Sequence, residues 1–125
     1  MTHLSKPVLF LATANPKRSR EFYEKTLGLK FVADEYPALV FEIGSSVLRI
    51  QKVERVRKAE YTALGWDVKD IRKTVRDLRG RGVVFQRYEG MNQDKDGIWT
   101  SPSGGLVAWF PDPDGNLLSL TQFGG

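Results

Sequence analysis

Two stretches of this chain carry the same succession of signals, and a fold that accepts one of them must accept the other. Residues 7–14, PVLFLATA, form a short apolar run of strand character, and Asn15 with Pro16 supplies a helix cap and a first helical residue. Phe22, Tyr23, Thr26 and Leu27 then fall on one helical stripe that Gly28 closes. Strands are expected at 29–35, 38–43 and 47–53, with turns at Tyr36-Pro37 and Gly44-Ser45-Ser46. After a charged connector over 52–60 the series restarts: a strand at 61–67, Asp70 as cap, a stripe of Ile71, Val75 and Leu78, closing glycines at 80 and 82, and a strand at 83–88. A long insert, 89–104, precedes a hairpin whose strands, 106–110 and 116–123, flank a turn of Pro111, Asp112, Pro113, Asp114, Gly115 and Asn116.

The halves superpose residue on residue. Asn15 to Ser19 fall on Asp70 to Thr74, Gly28 to Phe31 on Gly82 to Phe85, and Val47 to Ile50 on Leu117 to Leu120, which sets Arg49 on Ser119. Agreement of element order, cap and closing glycine argues for a duplicated β-α-β-β-β unit. The expected class is α+β: one domain over 1–125, with module one at 7–53 and module two at 61–123.

Composition removes several functions. There is no cysteine, hence no disulfide frame and no thiolate chemistry. The basic residues behind the net charge of +4 fall mainly in 17–20, 52–58 and 72–81, with Glu21, Glu54 and Asp77 in or beside these runs, so they read as solvated surface and not as a nucleic-acid footprint. No apolar run approaches membrane-spanning length, and the short polar start lacks the form of a signal peptide; the cytoplasm is the default location. The basic balance favours an anionic small ligand over a cationic one.

The pair of modules, with Ser19-x-x-Phe22-Tyr23-x-x-x-Leu27-Gly28 in the first and Asp112-Pro113-Asp114-Gly115-Asn116 before the last strand, resembles the vicinal oxygen chelate superfamily of glyoxalases, extradiol dioxygenases, fosfomycin-resistance enzymes and bleomycin-resistance proteins. The resemblance covers nearly the whole chain. It implies curved sheets around a cleft between modules, paired within a chain or across a homodimer. It also implies a divalent metal held from the first and last strand of each module. The positions that match those ligands here are Val8, Ala63, Arg49 and Ser119, which offer two hydrocarbons, a cation and a hydroxyl. His3, the only histidine, lies in the N-terminal stretch as an exposed polar residue. No metal and no other cofactor is therefore expected, because metal sites need several convergent N, O or S donors.

What remains is a binding surface. Strand parity places Val47, Arg49 and Gln51 on one face, and Leu117, Ser119 and Thr121 on the equivalent face of the other module. Arg49 needs an anionic partner, from the protein or from a ligand. The insert, with Gln93, Asp94 and Trp99, is read as a loop over the cleft mouth, whereas Trp66 and Trp109 sit in strand patterns and are read as core. Glu42, Asp94 and Asp96 lack an identifiable second catalytic group. The expectation is a homodimeric, metal-free protein that binds a small, partly apolar, acidic molecule through Arg49, Gln51, Ser119, Thr121, Gln93, Asp94 and Trp99. The alternative is a metal-dependent lyase or dioxygenase with unrecognised ligands.

Overall fold

A computed structural model describes residues 2–124. The chain divides into two compact units, between Arg57 and Lys58.

In the first unit, β1 (Val8–Thr13) leads to α1 (Pro16–Glu21), which continues as a π-helical turn over Phe22–Thr26. The Asn15 side chain accepts from the Arg18 N–H, satisfying one of the donors that a helix start leaves open. The widened turn shows in the Leu27 N–H, which donates to Phe22 O, five residues back. Gly28, at φ 76, then supplies a left-handed conformation that a side chain disfavours. Next come β2 (Lys30–Glu35), β3 (Ala38–Ile43) and β4 (Ser46–Lys52). The sheet order is β1-β4-β3-β2, with β1 and β4 parallel and the other pairs antiparallel. Tyr23 meets Phe41 at 5.9 Å between ring centroids, so the helical segment covers the face of Phe41, Leu48 and Ile50, all fully buried. Residues of opposite parity, among them Val8, Phe10, Val47, Arg49 and Gln51, take the face away from the helix.

The second unit repeats the plan. β5 (Leu64–Asp67), α2 (Ile71–Gly80), β6 (Trp99–Thr100), β7 (Leu106–Pro111) and β8 (Leu117–Gln122) give a sheet in the order β5-β8-β7-β6, with β5 parallel to β8. Asp70 caps α2 by accepting from Lys73 N–H, and Gln122 Oε1 accepts from Ile71 N–H, so the last strand also serves the start of the helix. Ile71, Val75 and Leu78 are buried against the sheet face of Phe110, Leu118 and Leu120. In the turn from β7 to β8, Asp112 accepts from the N–H groups of Asp114 and Asn116 and from Asn116 Nδ2. Both sheets therefore match the expected two-module α+β architecture.

The expected strand at 83–88 does not form. Its position beside β7 is divided: the two residues of β6 pair with Leu106 and Val107, and Gln86 N–H donates to Trp109 O further along. A side chain takes the place of a strand partner. Gln93 Oε1 accepts from Tyr88 N–H at 2.7 Å, while its Nε2 donates to Gln86 O at 3.0 Å and to Gly97 O at 2.8 Å. Backbone groups satisfied in this way need no ladder.

The parallel first-to-last pairing leaves no room at Gly65. A Cβ there would run into Ser119 Oγ and lie 3.3 Å from Ser119 O. Gly65→Ala is expected to lower stability by about 1–3 kcal/mol, as overpacking does. Adding Ser119→Ala should restore part of that loss; simple additivity of the two changes in urea unfolding would contradict the contact.

Candidate functional site

Each sheet has one face under its helix and one face away from it, and the residues singled out from sequence divide accordingly. On the first sheet, Val8 pairs with Val47, Phe10 with Arg49 and Ala12 with Gln51. Val8 and Phe10 are 49% and 54% exposed, which is unusual for large apolar residues in a strand. Arg49 stands among them, and Nη1 donates to Glu35 Oε1 at 2.8 Å. Between the two, the intervening strand β3 presents Val40, opposite Arg49, and Ala38, opposite Glu35, neither long enough to block the reach. Glu42, on the same face opposite Val47, lies 3.7 Å from Lys30 Nζ.

On the second sheet, hairpin register sets Trp109 opposite Ser119 and Val107 opposite Thr121, while Trp99 pairs with Val107 and Gly65 with Ser119. These residues share the face away from α2. Trp99 and Trp109 are both partly exposed, with ring centroids 6.0 Å apart, and Tyr88 meets Trp109 edge-on at 5.6 Å. Burial raises the Tyr88 pKa, so its phenol stays protonated and able to donate. Ser119 is buried beside them. The result is an aromatic wall with small polar groups at its foot, Ser119 and Thr121. A groove of about 510 Å³ runs from Tyr88 and Leu117 to the Asp112 turn, lined also by Lys58 and Glu60. Sequence parity counted Trp109 as core, yet the register of the hairpin carries it onto this face beside Trp99.

Gln93 and Asp94 lie at the edge of the same sheet and are engaged with the protein itself. Besides the bonds of Gln93, Asp94 Oδ1 accepts from Asp96 N–H and Ile98 N–H, and Asp94 Oδ2 sits 2.8 Å from Arg72 Nη1. Burial alone would raise the Asp94 pKa, but the bonds from the Ile98 and Asp96 amides and from Arg72 outweigh it and leave the pKa lowered. Asp94 thus stabilises the fold above its ordinary value of 3.8, and that contribution is lost as pH falls through the lower folded value.

The four positions that the resemblance matches to metal ligands are Val8 and Arg49 in the first sheet, Ser119 in the second, and Ala63 just ahead of β5. Val8 and Arg49 occupy the helix-free face through their pairings, and Ala63 N–H donates to Leu117 O. Among the described residues there is no group of three or more His, Cys, Asp or Glu able to hold a metal ion. Two hydrocarbons, a cation and a hydroxyl at these positions do not fit a metal, which needs several convergent donors.

Comparison with known proteins agrees with this architecture. Residues 3–120 match the model of the Glyoxalase/Bleomycin resistance protein/Dioxygenase superfamily, and the chain belongs to that family. A superfamily member from Sphaerobacter thermophilus superposes with a TM-score of 0.74 at 21% identity, over 96% of this chain and 98% of that one. The bleomycin resistance determinant encoded on transposon Tn5 gives 0.73 at 20% identity, over 96% and 98%. TnmS3, an antibiotic binding protein from Streptomyces sp. CB03234, gives 0.73 at 19% identity, over 99% of both chains. At these identities the likeness is one of fold. No curated protein matches the sequence.

The Arg49–Glu35 pair is open to solvent, with side chains 26% and 59% exposed. Arg49→Ala is therefore expected to cost less than about 1 kcal/mol in urea unfolding. A loss of about 3–5 kcal/mol, the cost of stranding a buried charge, would show that Arg49 belongs to the scaffold.

Proposed function

We propose that this chain is a metal-independent binding protein of its family, taking a small, partly apolar molecule with an acidic group. The observation that carries the proposal is the pairing of two partly exposed tryptophans, Trp99 and Trp109, with Tyr88 on the helix-free face of the second sheet. Planar apolar surface of this kind favours offset or edge contacts with an aromatic or conjugated guest. Ser119, Thr121 and the Tyr88 phenol supply the few hydrogen bonds that orient such a guest. In this reading Gln93 and Asp94 support the wall rather than touch the guest, since their polar atoms bind backbone and Arg72.

On the first sheet, taken by itself, Arg49 and Gln51 are proposed as polar contacts for an acidic group. An acidic ligand group would compete with Glu35 for the Arg49 guanidinium, a replacement of one exposed carboxylate by another in a more apolar setting beside Phe10 and Val47. The Tn5 protein is a bleomycin resistance determinant and TnmS3 an antibiotic binding protein, which supports binding as a use of this fold. Exposed apolar side chains on strand faces, Val8 and Phe10 foremost, support assembly as a homodimer in which these faces are covered.

Titration with 2-naphthoic acid and its uncharged amide, followed by tryptophan emission, tests the reading. Saturable quenching is expected, weakened about tenfold by Trp99→Ala or Trp109→Ala, the loss of about 1.4 kcal/mol of stacking. The acid should bind more tightly than the amide. Binding that survives loss of both tryptophans would refute the aromatic site. Light scattering at micromolar concentration should give a dimer mass; a stable monomer would refute the assembly.

A further inference from the structure

The insert between α2 and β7 wraps one edge of the second sheet, and its two ends do different things. At one end Asp96, nearly buried, is ringed by arginines from a single face of α2: Arg79 Nη1 at 3.2 Å, Arg72 Nη1 at 3.3 Å and Arg76 Nη2 at 3.9 Å. Arg79 Nη2 also donates to Asp96 O at 3.0 Å, and Arg72 bridges to Asp94. Arg87 adds donations to Asp94 O and Gln93 O. At the other end is Trp99, in β6, on the aromatic face.

Between the ends there is little slack. Asp94 grips Ile98 twice, its N–H donating to Ile98 O at 2.9 Å and its Oδ1 accepting from Ile98 N–H at 3.0 Å. Ile98 is 2% exposed, and Trp99 follows it directly as the first residue of β6. Only two residues of β6 pair with β7, so the ladder by itself holds Trp99 weakly.

We propose that Asp94 and Asp96, clamped by Arg72 and Arg79 of α2, are the positioning residues of Trp99 and so set the affinity of the aromatic face from the opposite side of the sheet. Three cations converge on one carboxylate, and the arginines are themselves part exposed, so the clamp weakens as salt screens it. The orientation of α2 and that of the aromatic wall are thereby coupled through five residues of loop, Asp94 to Ile98. The proposal rests on the aromatic face being a binding surface only for its consequence for affinity; the position of Trp99 is measurable without a ligand.

The test follows the three tryptophan indole N–H signals by NMR, assigned by single Trp→Phe changes, with Trp66 as reference in the same unit. In Asp96→Asn, and separately in Arg79→Gln and Arg72→Gln, the Trp99 signal should shift and its hydrogen exchange accelerate about tenfold relative to Trp66. The wild-type protein in about 1 M sodium chloride, where the screening length falls to about 3 Å, should show part of the same change. A Leu118→Ala variant, in the core of the same unit, controls for loss of stability in general and should leave the ratio of Trp99 to Trp66 exchange unaltered. If Asp96→Asn fails to fold, the two surface arginine variants and the salt series decide. An unmoved Trp99 signal with an unchanged exchange ratio in these proteins overturns the clamp. Naphthoate separates this failure from that of the proposed function: a shifted Trp99 in a protein whose wild type binds no naphthoate leaves the clamp standing and removes the binding reading.

Discussion

The parallel pairing of first and last strands, β1 with β4 and β5 with β8, is the constraint on which the rest depends. A parallel pair needs a crossover, and α1 or α2 supplies it, so one face of each sheet is committed to a helix from the start. Period-two alternation then commits the other face as well: whatever stands opposite Val47 or Ser119 is turned away from the helix. Phe10, Arg49, Trp109 and Thr121 owe their location to this rule more than to any contact of their own. Gly65 marks how close the pairing is, since Ser119 occupies the space that a side chain would need.

The same rule decides which residues stand at the positions where the sequence resemblance implied metal ligands. With Val8, Arg49, Ala63 and Ser119 at the expected ligand positions, the chemistry of the helix-free faces passes to the residues around them. These are aromatic and apolar, with isolated hydroxyls and one arginine. In the proposed function such a surface binds by exclusion of water and by a few directed bonds. Arg49 is matched with Glu35, and Asp94 and Asp96 of the insert are matched with the arginines of α2.

Much of this was legible in the sequence because it rests on local signals. Asn15 and Asp70 announced both helices, and residues 38–43 form a strand with the bounds that their apolar run implies. The insert was legible only as a long segment with apolar side chains to bury. Its order comes from Gln93, a side chain that serves the backbone of residues 86 and 88, and no pattern of hydrophobicity records such a bond. The missing strand at 83–88 has the same cause. The partner of Arg49 was hidden for a different reason. Glu35 comes into range only through two strand registers and the shift between Phe31 and Ala33 in β2, and the small residues of β3 that permit the crossing do not announce it. Trp109 was within reach of inference: the turn over 111–116 fixes Pro111 opposite Leu117, and two residues back that register places Trp109 opposite Ser119.

In the proposed function the aromatic face binds its guest without a metal. Calorimetric titration with naphthoate decides this, performed on protein exhaustively treated with chelator and repeated with zinc, manganese or iron(II) restored. The same affinity and stoichiometry are expected in every case. Binding lost on chelation and recovered with one metal ion per chain would contradict it.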